Sequence, residues 1–173
     1  MWNPVNLPPE LFIEVMDYAV DGKRDLKSLC AFCLVDQQWY TTVSPRIYSR
    51  WLYDGDIYSF TYLWKFLRTV LRSARIAQQV HTLRIRNWGF PLHPDVGVCL
   101  SEEDFELVHN AVCKAGIQHL ESSVVEALRK ADRRPLVALL LTSLPNLATL
   151  YAHVPEVDVF FAEMLKQALE DQE

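Results

Sequence analysis

Along the first fifty residues, apolar positions recur at intervals of three and four, the period of helices with a buried stripe. Pro8 and Pro9 pre-set φ and need no amide partner, so they suit the threshold of a helix from Glu10 to about Val20. On it Leu11, Val15 and Tyr18 make one stripe, and Phe12, Met16 and Ala19 another. Nearly the whole cylinder is apolar, which implies a second covering surface. Asp21-Gly22-Lys23 ends this helix, Asp25 offers an N-cap for a second reaching about Leu34, and Val35 to Trp39 begins a third. Ser44-Pro45-Arg46 reads as a turn and a fresh helix start, leading into an aromatic group of Tyr48, Trp51, Leu52 and Tyr53 that joins this module to the rest of the chain. Asp54-Gly55-Asp56 interrupts the pattern. Ser59 then stands to cap a helix whose Tyr62, Leu63, Phe66, Leu67, Val70 and Leu71 keep helical spacing to about Ala77.

The period changes at Val80-His81-Thr82-Leu83-Arg84-Ile85-Arg86, where Leu83 and Ile85 share one face and Arg84 and Arg86 the other, predicting a short strand. The same local grammar returns at Leu147-Ala148-Thr149-Leu150-Tyr151-Ala152. Two such units resemble leucine-rich repeats, whose strands stack so that the Leu positions form a continuous core. Val80 to Leu147 far exceeds an ordinary repeat of roughly 20–29 residues, so helical material must lie between the strands. A Gly- and Pro-rich loop over 89–97 comes first. Ser101 with Asp104 then starts a helix to about Lys114, Ser123 with Glu126 forms a capping box for one to about Ala131, and Pro135 opens another. That last helix carries Leu136, Val137, Leu139, Leu140 and Leu141 nearly all round, and is expected to be the most buried element of this half. Asp158 to Glu170 makes a closing helix. The fold class is mainly α with a few short strands.

Leu7-Pro8-Pro9-Glu10-Leu11, followed by Leu29, Val35 and Trp39 at their mutual spacing, resembles an F-box spanning roughly Leu7 to Tyr48. Lys23 to Ser28 lengthens the first connection by about one turn, and Asp36 stands where a small hydroxyl residue is more usual; neither removes an anchor. The resemblance implies a three-helix F-box over 5–50, linking helices over 51–78, and an irregular leucine-rich-repeat-like α/β segment over 79–173. Ala138-Leu139-Leu140-Leu141, Leu144-Pro145-Asn146-Leu147 and Leu150 look like the segment that follows the F-box in many fungal F-box proteins. Such repeats usually continue further, so the chain is either a short member or a piece of a longer one. F-boxes bind Skp-type adaptors and, through them, a cullin. The implied function is a substrate-recognition subunit of a Skp-cullin-F-box ubiquitin ligase, cytoplasmic or nuclear, with an unknown protein client. The alternative is a non-ligase F-box scaffold. Leu7, Pro8, Leu11, Val15, Leu29, Val35 and Trp39 are the expected adaptor-binding residues, with Leu7, Pro8 and Leu11 the direct contacts and Trp39 fixing the third helix. Physically, three short helices packed about Leu11, Leu29, Leu34 and Trp39 cannot also bury all of Leu7, Phe12, Val15 and Val35, so a partner groove would cover the remainder.

The 173 residues are 50% hydrophobic and 12% aromatic, enough for one substantial core or two small ones, and a disordered chain is not expected. A net charge of −5 argues against general nucleic-acid binding; Arg68, Arg72, Arg75, Arg84 and Arg86 make a locally basic middle, read as a solvated face. The longest apolar run, Leu136 to Leu141, is far short of the roughly 20 residues that span a bilayer, and no membrane association is expected. Cys30 and Cys33 in an apolar helix read as small core residues in preference to a metal or redox pair, and Cys99, His109 and Cys113 are explained by packing. No Ser-His-Asp or Cys-His arrangement has recognisable surroundings and no phosphate-binding glycine loop occurs, so catalytic residues, metal and cofactor are all expected to be none. The acidic group Glu102, Glu103, Asp104 and Glu106 suits a helix N-terminus.

Overall fold

The computed structural model describes residues 8–19, 26–89, 100–156 and 158–170. It is mainly helical with a three-stranded parallel sheet, and divides into two compact units, 1–47 and 48–173. The ends proposed for the first helix at Asp21-Gly22-Lys23, the cap at Asp25, and the loop beyond Gly89 fall outside the described residues.

The first unit is built on α1 (Pro9–Ala19), α2 (Leu26–Cys33) and α3 (Gln37–Tyr48). Asp36 fits its place: its Oδ1 accepts the Trp39 N–H at 2.9 Å, which makes it the N-cap of α3. The fresh start expected at Ser44-Pro45 is not observed, since α3 runs through Pro45. A proline inside a helix forfeits one backbone bond. Here Val43 and Ser44 are fully buried and Ile47 packs beside them, so tertiary burial overrides the local signal. The unit's core is small. Met16, Leu29 and Val43 are its buried apolar residues among those described, flanked by Phe32, Cys33, Trp39 and Ile47.

The second unit begins with β1 (Arg50–Asp54), followed by α4 (Phe60–Arg72), α5 (Ala74–Gln79) and β2 (Thr82–Arg86). Next come α6 (Glu102–Lys114), a short 3-10 turn at Gln118–Leu120, α7 (Glu121–Arg129), α8 (Arg134–Thr142), β3 (Thr149–Ala152) and α9 (Val159–Glu170). The strands lie in the order β1-β2-β3, with Trp51, Leu83 and Leu150 side by side and Tyr53, Ile85 and Ala152 two residues further on. The helices α6, α7 and α8 fill the long interval between the second and third strands, as the spacing demands.

In this unit three stretches differ from the sequence reading. The alternation does not announce β1, because Leu52 puts an apolar side chain on the outer face and hides the period of two. Its inner residues anchor it well: Trp51 stacks on Phe66 at 4.0 Å, and the Tyr53 hydroxyl donates to the Tyr58 carbonyl at 3.1 Å. The single helix expected from Ser59 to Ala77 is two. Ser73 adopts an extended conformation, its N–H bonding back to Thr69 and Val70 and its Oγ accepting from the Ile76 N–H. The helix read as starting at Ser123 begins at Glu121, because the preceding 3-10 turn already aligns the backbone and no side-chain cap forms.

The Ser101–Asp104 capping box is present in both directions, and buried Asp104 also pairs with Arg68 Nε at 2.9 Å, tying α6 to α4. In α8, Pro135 to Leu140 are all buried, and they pack with Leu63, Leu67 and Val70 of α4 and the inner sheet residues Tyr53, Leu83 and Ile85 in one core. Asp158 closes it: Oδ1 caps α9 through the Phe161 N–H at 3.0 Å, and Oδ2 accepts the buried Trp88 indole N–H at 3.2 Å. Among the described residues no helix is long and apolar enough to cross a membrane.

Candidate docking surfaces

Each unit leaves a surface that its own packing does not explain. In α1, Met16 is fully buried while Leu11 is 48% and Tyr18 91% exposed. A helix turns about 100° per residue, so Leu11 and Tyr18 lie within about 20° of each other and about 140° from Met16 in the case of Leu11. Of the side chains in the two stripes read from the sequence, Met16 faces inward, and Leu11 and Tyr18 stand in solvent. Ile13, at 40%, and Leu26, at 54%, add to the uncovered apolar area. In the turn between α2 and α3, Leu34 is 87% and Val35 60% exposed. That turn is fixed by backbone bonds from the Leu34 N–H to the Ala31 carbonyl and from the Val35 N–H to the Phe32 carbonyl, so both side chains are held on an ordered support.

The expected adaptor-binding residues therefore separate. Pro8, Leu11 and Val35 are exposed. Leu29 is not: it is buried with Met16 and Val43, because the eight-residue α2 turns one narrow face inward and Leu29 occupies it. Trp39 is half-buried, its ring 5.1 Å from that of Phe32, where it braces α3 against α2. Leu7 and the side chain of Val15 lie outside the described residues. Leu11 and Leu34, expected in the shared interior, face solvent instead, because the small interior is filled by Met16, Leu29 and Val43. Ile13, Tyr18 and Leu26 were not singled out by the family pattern; for Ile13 and Tyr18 the all-round apolar character of α1 was the signal, and Leu26, at the start of α2, had none.

In the second unit, residues alternate across the sheet, so the register fixes the outer face. Arg50, Thr82 and Thr149 form one row, and Leu52, Arg84 and Tyr151 the next. Asp54 and Arg86 form a third, beside His153, which follows β3 and whose N–H donates to the Ile85 carbonyl. Parallel sheets are ordinarily covered on both faces by their connections. Here Leu52 is 46% and Tyr151 60% exposed, and Arg50, Arg84 and Arg86 stand in solvent. A cleft of about 610 Å³ borders this face at the carboxyl end of the strands, lined by Asp54, Arg84, Arg86, Asn87, Tyr151 and His153 among others.

The rim of that cleft is rigid. Gly55 donates its N–H to the Arg86 carbonyl at 3.0 Å, and a Cβ there would sit 1.8 Å from the Asn87 carbonyl oxygen. Asn87 takes a left-handed conformation, φ 53°, and its Nδ2 donates to Asp54 Oδ1 at 3.0 Å and Asp56 Oδ2 at 2.7 Å. The Asp56 N–H bonding to Asp54 Oδ1, then Asn87, and then nearby Arg86 hold the Asp54 carboxyl below the usual carboxylate range, against an opposing effect of burial.

Four arginines of the basic middle read from the sequence fall into two pairs. Arg68 and Arg72 pair with Asp104 and Glu103, and serve the helix packing. Arg84 and Arg86 belong to the open sheet face.

Elsewhere the chemistry is sparse. Burial raises the Cys33 thiol and Cys30 adds to the shift, the reverse of what a reactive Cys-x-x-Cys thiol requires. Among the described residues, no group of three or more His, Cys, Asp or Glu side chains is gathered as a metal would need. Cys99 lies outside them. His109 Nδ1 is 2.6 Å from Glu121 Oε1, and its Nε2 is 3.7 Å from Cys113 Sγ. That chain of contacts follows the order of a nucleophile, base and orienting acid, but none of the three lines the sheet-end cleft or a smaller one of about 230 Å³ between Val70 and Pro145. Comparison with protein-family models, with curated proteins and with solved structures returns no match for this chain.

Proposed function

We propose that this chain is the substrate-recognition subunit of a Skp-cullin-F-box type of ubiquitin ligase, with the first helical unit docking on a Skp-type adaptor and the second presenting a client. The observation that carries this reading is the uncovered apolar set of Leu11, Tyr18, Leu34 and Val35 on a unit whose described core is Met16, Leu29 and Val43. Each side chain of this size moved out of water contributes about 1.5–3 kcal/mol. Four of them exceed the lower bound of about 4 kcal/mol that association costs. A unit of under fifty residues with so few interior side chains is also marginal alone, and a partner that buries its outer stripe stabilises it. In this reading ubiquitin transfer belongs to the other subunits and this chain contributes proximity.

The test is capture of the adaptor by the full chain. Leu11→Ala combined with Val35→Ala is expected to weaken adaptor binding at least tenfold while the helical circular dichroism stays unchanged. Retained binding with an unchanged spectrum would remove the docking assignment. Co-purification of a cullin separates a ligase subunit from a scaffold that only holds the adaptor.

A further inference from the structure

The outer face of the sheet places three arginines together on a chain whose net charge is −5. Among the described residues none of Arg50, Arg84 and Arg86 has a carboxylate within ion-pair distance. Asp54, beside Arg86 in the register, and Asp56 are bridged by the Asn87 amide. Arg84 stands between Leu52 on one side and Tyr151 on the other, both substantially exposed. Apolar neighbours lower the local dielectric, so an anion reaching Arg84 between those two side chains is held more strongly than at an open surface.

We propose that this face binds an extended acidic segment of a client protein, with Asp or Glu side chains at alternate positions. Alternate residues along a strand are about 6.6 Å apart, so Arg84 and Arg86 match the spacing of alternate side chains in an extended peptide laid along β2. Arginine's planar fork takes a carboxylate by two parallel hydrogen bonds. Leu52 and Tyr151 flank the peptide as apolar rails, and Arg50 receives a further acid at the far end of the face. Asp54 shares the field of Arg86, so Arg84 and Arg50 carry more of the attraction than Arg86 does. A peptide is favoured over single-stranded nucleic acid because Tyr151 is the sole Phe, Tyr or Trp in those rows, whereas a strand of bases is held by several stacking rings in succession. This client class rests on the receptor reading above, yet its test needs no adaptor, so the two fail separately.

The experiment is fluorescence anisotropy of the full chain with a labelled twelve-residue peptide of alternating glutamate and threonine. Controls are the matching lysine–threonine peptide and a twelve-nucleotide single-stranded uridine RNA. Binding of the acidic peptide is expected to be at least tenfold tighter than either control. Arg84→Glu and the milder Arg84→Gln should each weaken it about tenfold or more, and Arg86→Gln only about threefold. Asp54→Asn keeps the oxygen that accepts from Asp56 and Asn87 but removes the charge, and should tighten binding two- to threefold. Equal or stronger binding of the RNA would overturn the proposal. So would failure to bind the acidic peptide, or binding indifferent to Arg84→Gln and Asp54→Asn in variants with unchanged melting temperature.

Discussion

The two units solve the same problem of covering apolar helices by opposite means. In the second, α8 presents an unbroken buried run from Pro135 to Leu140, and α4, α6, α7 and the inner face of the sheet close around it. In the first, three helices gather around Met16, Leu29 and Val43 and leave Leu11, Tyr18, Leu34 and Val35 outside. The difference is one of enclosure. An apolar helix surrounded on all sides becomes a core element, whereas one packed along a single face leaves apolar side chains such as Leu11 and Tyr18 in solvent. Polar surface shows the same contrast in reverse: the second unit's uncovered area is a sheet face with arginines, suited to charge recognition, while the first unit's is apolar.

Truncation of one large side chain in each unit separates enclosure from exposure most sharply. Leu139→Ala removes a fully buried side chain from α8 and is expected to cost about 2–5 kcal/mol. Leu34→Ala, at 87% exposure, should change stability by about 0.5 kcal/mol or less while weakening adaptor binding. Urea denaturation of both variants beside an adaptor titration checks the pair. Equal destabilisation by the two would show that Leu34 serves the fold, and the contrast would fail.

The next effect concerns the rigid rim of the second unit. Gly55→Ala forces a methyl carbon against the Asn87 carbonyl, which is backbone and cannot swing aside, so β1 and β2 must part locally. A loss of about 3 kcal/mol is expected, the upper end of overpacking costs. Thermal melting should show it, with amide exchange accelerated in the second unit and unchanged in α2. A smaller loss, about 1 kcal/mol, is expected for Ser101→Ala, which removes one half of the capping box while Asp104 keeps Arg68.

Much of the second unit was written in local pattern. The alternation through Leu83 and Ile85, the Ser101–Asp104 box and Pro135 each placed an element where the structure has it, because the local preference and the tertiary environment agree there. The pattern failed where tertiary packing decides alone. Leu52 concealed β1, the break at Ser73 lay inside a continuous helical period, and Pro45 passed through α3 because burial of Val43 outweighed it. For the docking surface, the doubled apolar stripe of α1 was legible, but which stripe faces inward was not. Only the position of Met16 against Leu29 and Val43 settles that. The outer sheet face was legible only in part. Arg84 and Arg86 were visibly on one side of a strand, whereas their neighbours Leu52 and Tyr151 come from strands far away in sequence and depend on register.

The smallest effect is a pH dependence, and it belongs to the second unit's rim. The Asp54 carboxyl is held low first by the Asp56 N–H, then by the Asn87 side chain and by Arg86. Because its folded value lies below the unfolded one of about 3.9, the ionised form is favoured by folding, and its contribution is complete above that value. It is lost as the pH falls through the lowered folded value. Stability of the wild type minus that of Asp54→Asn should therefore be flat from about pH 5 to 8 and shrink below about pH 4. Since Asp54 lies at the surface, salt should reduce the part that comes from Arg86 and leave the part from the two hydrogen bonds. A difference that instead grew on acidification would mean that the rim is held by the protonated acid. The opposition between Asp54 and the acidic segment bound along Arg84 would then have no basis.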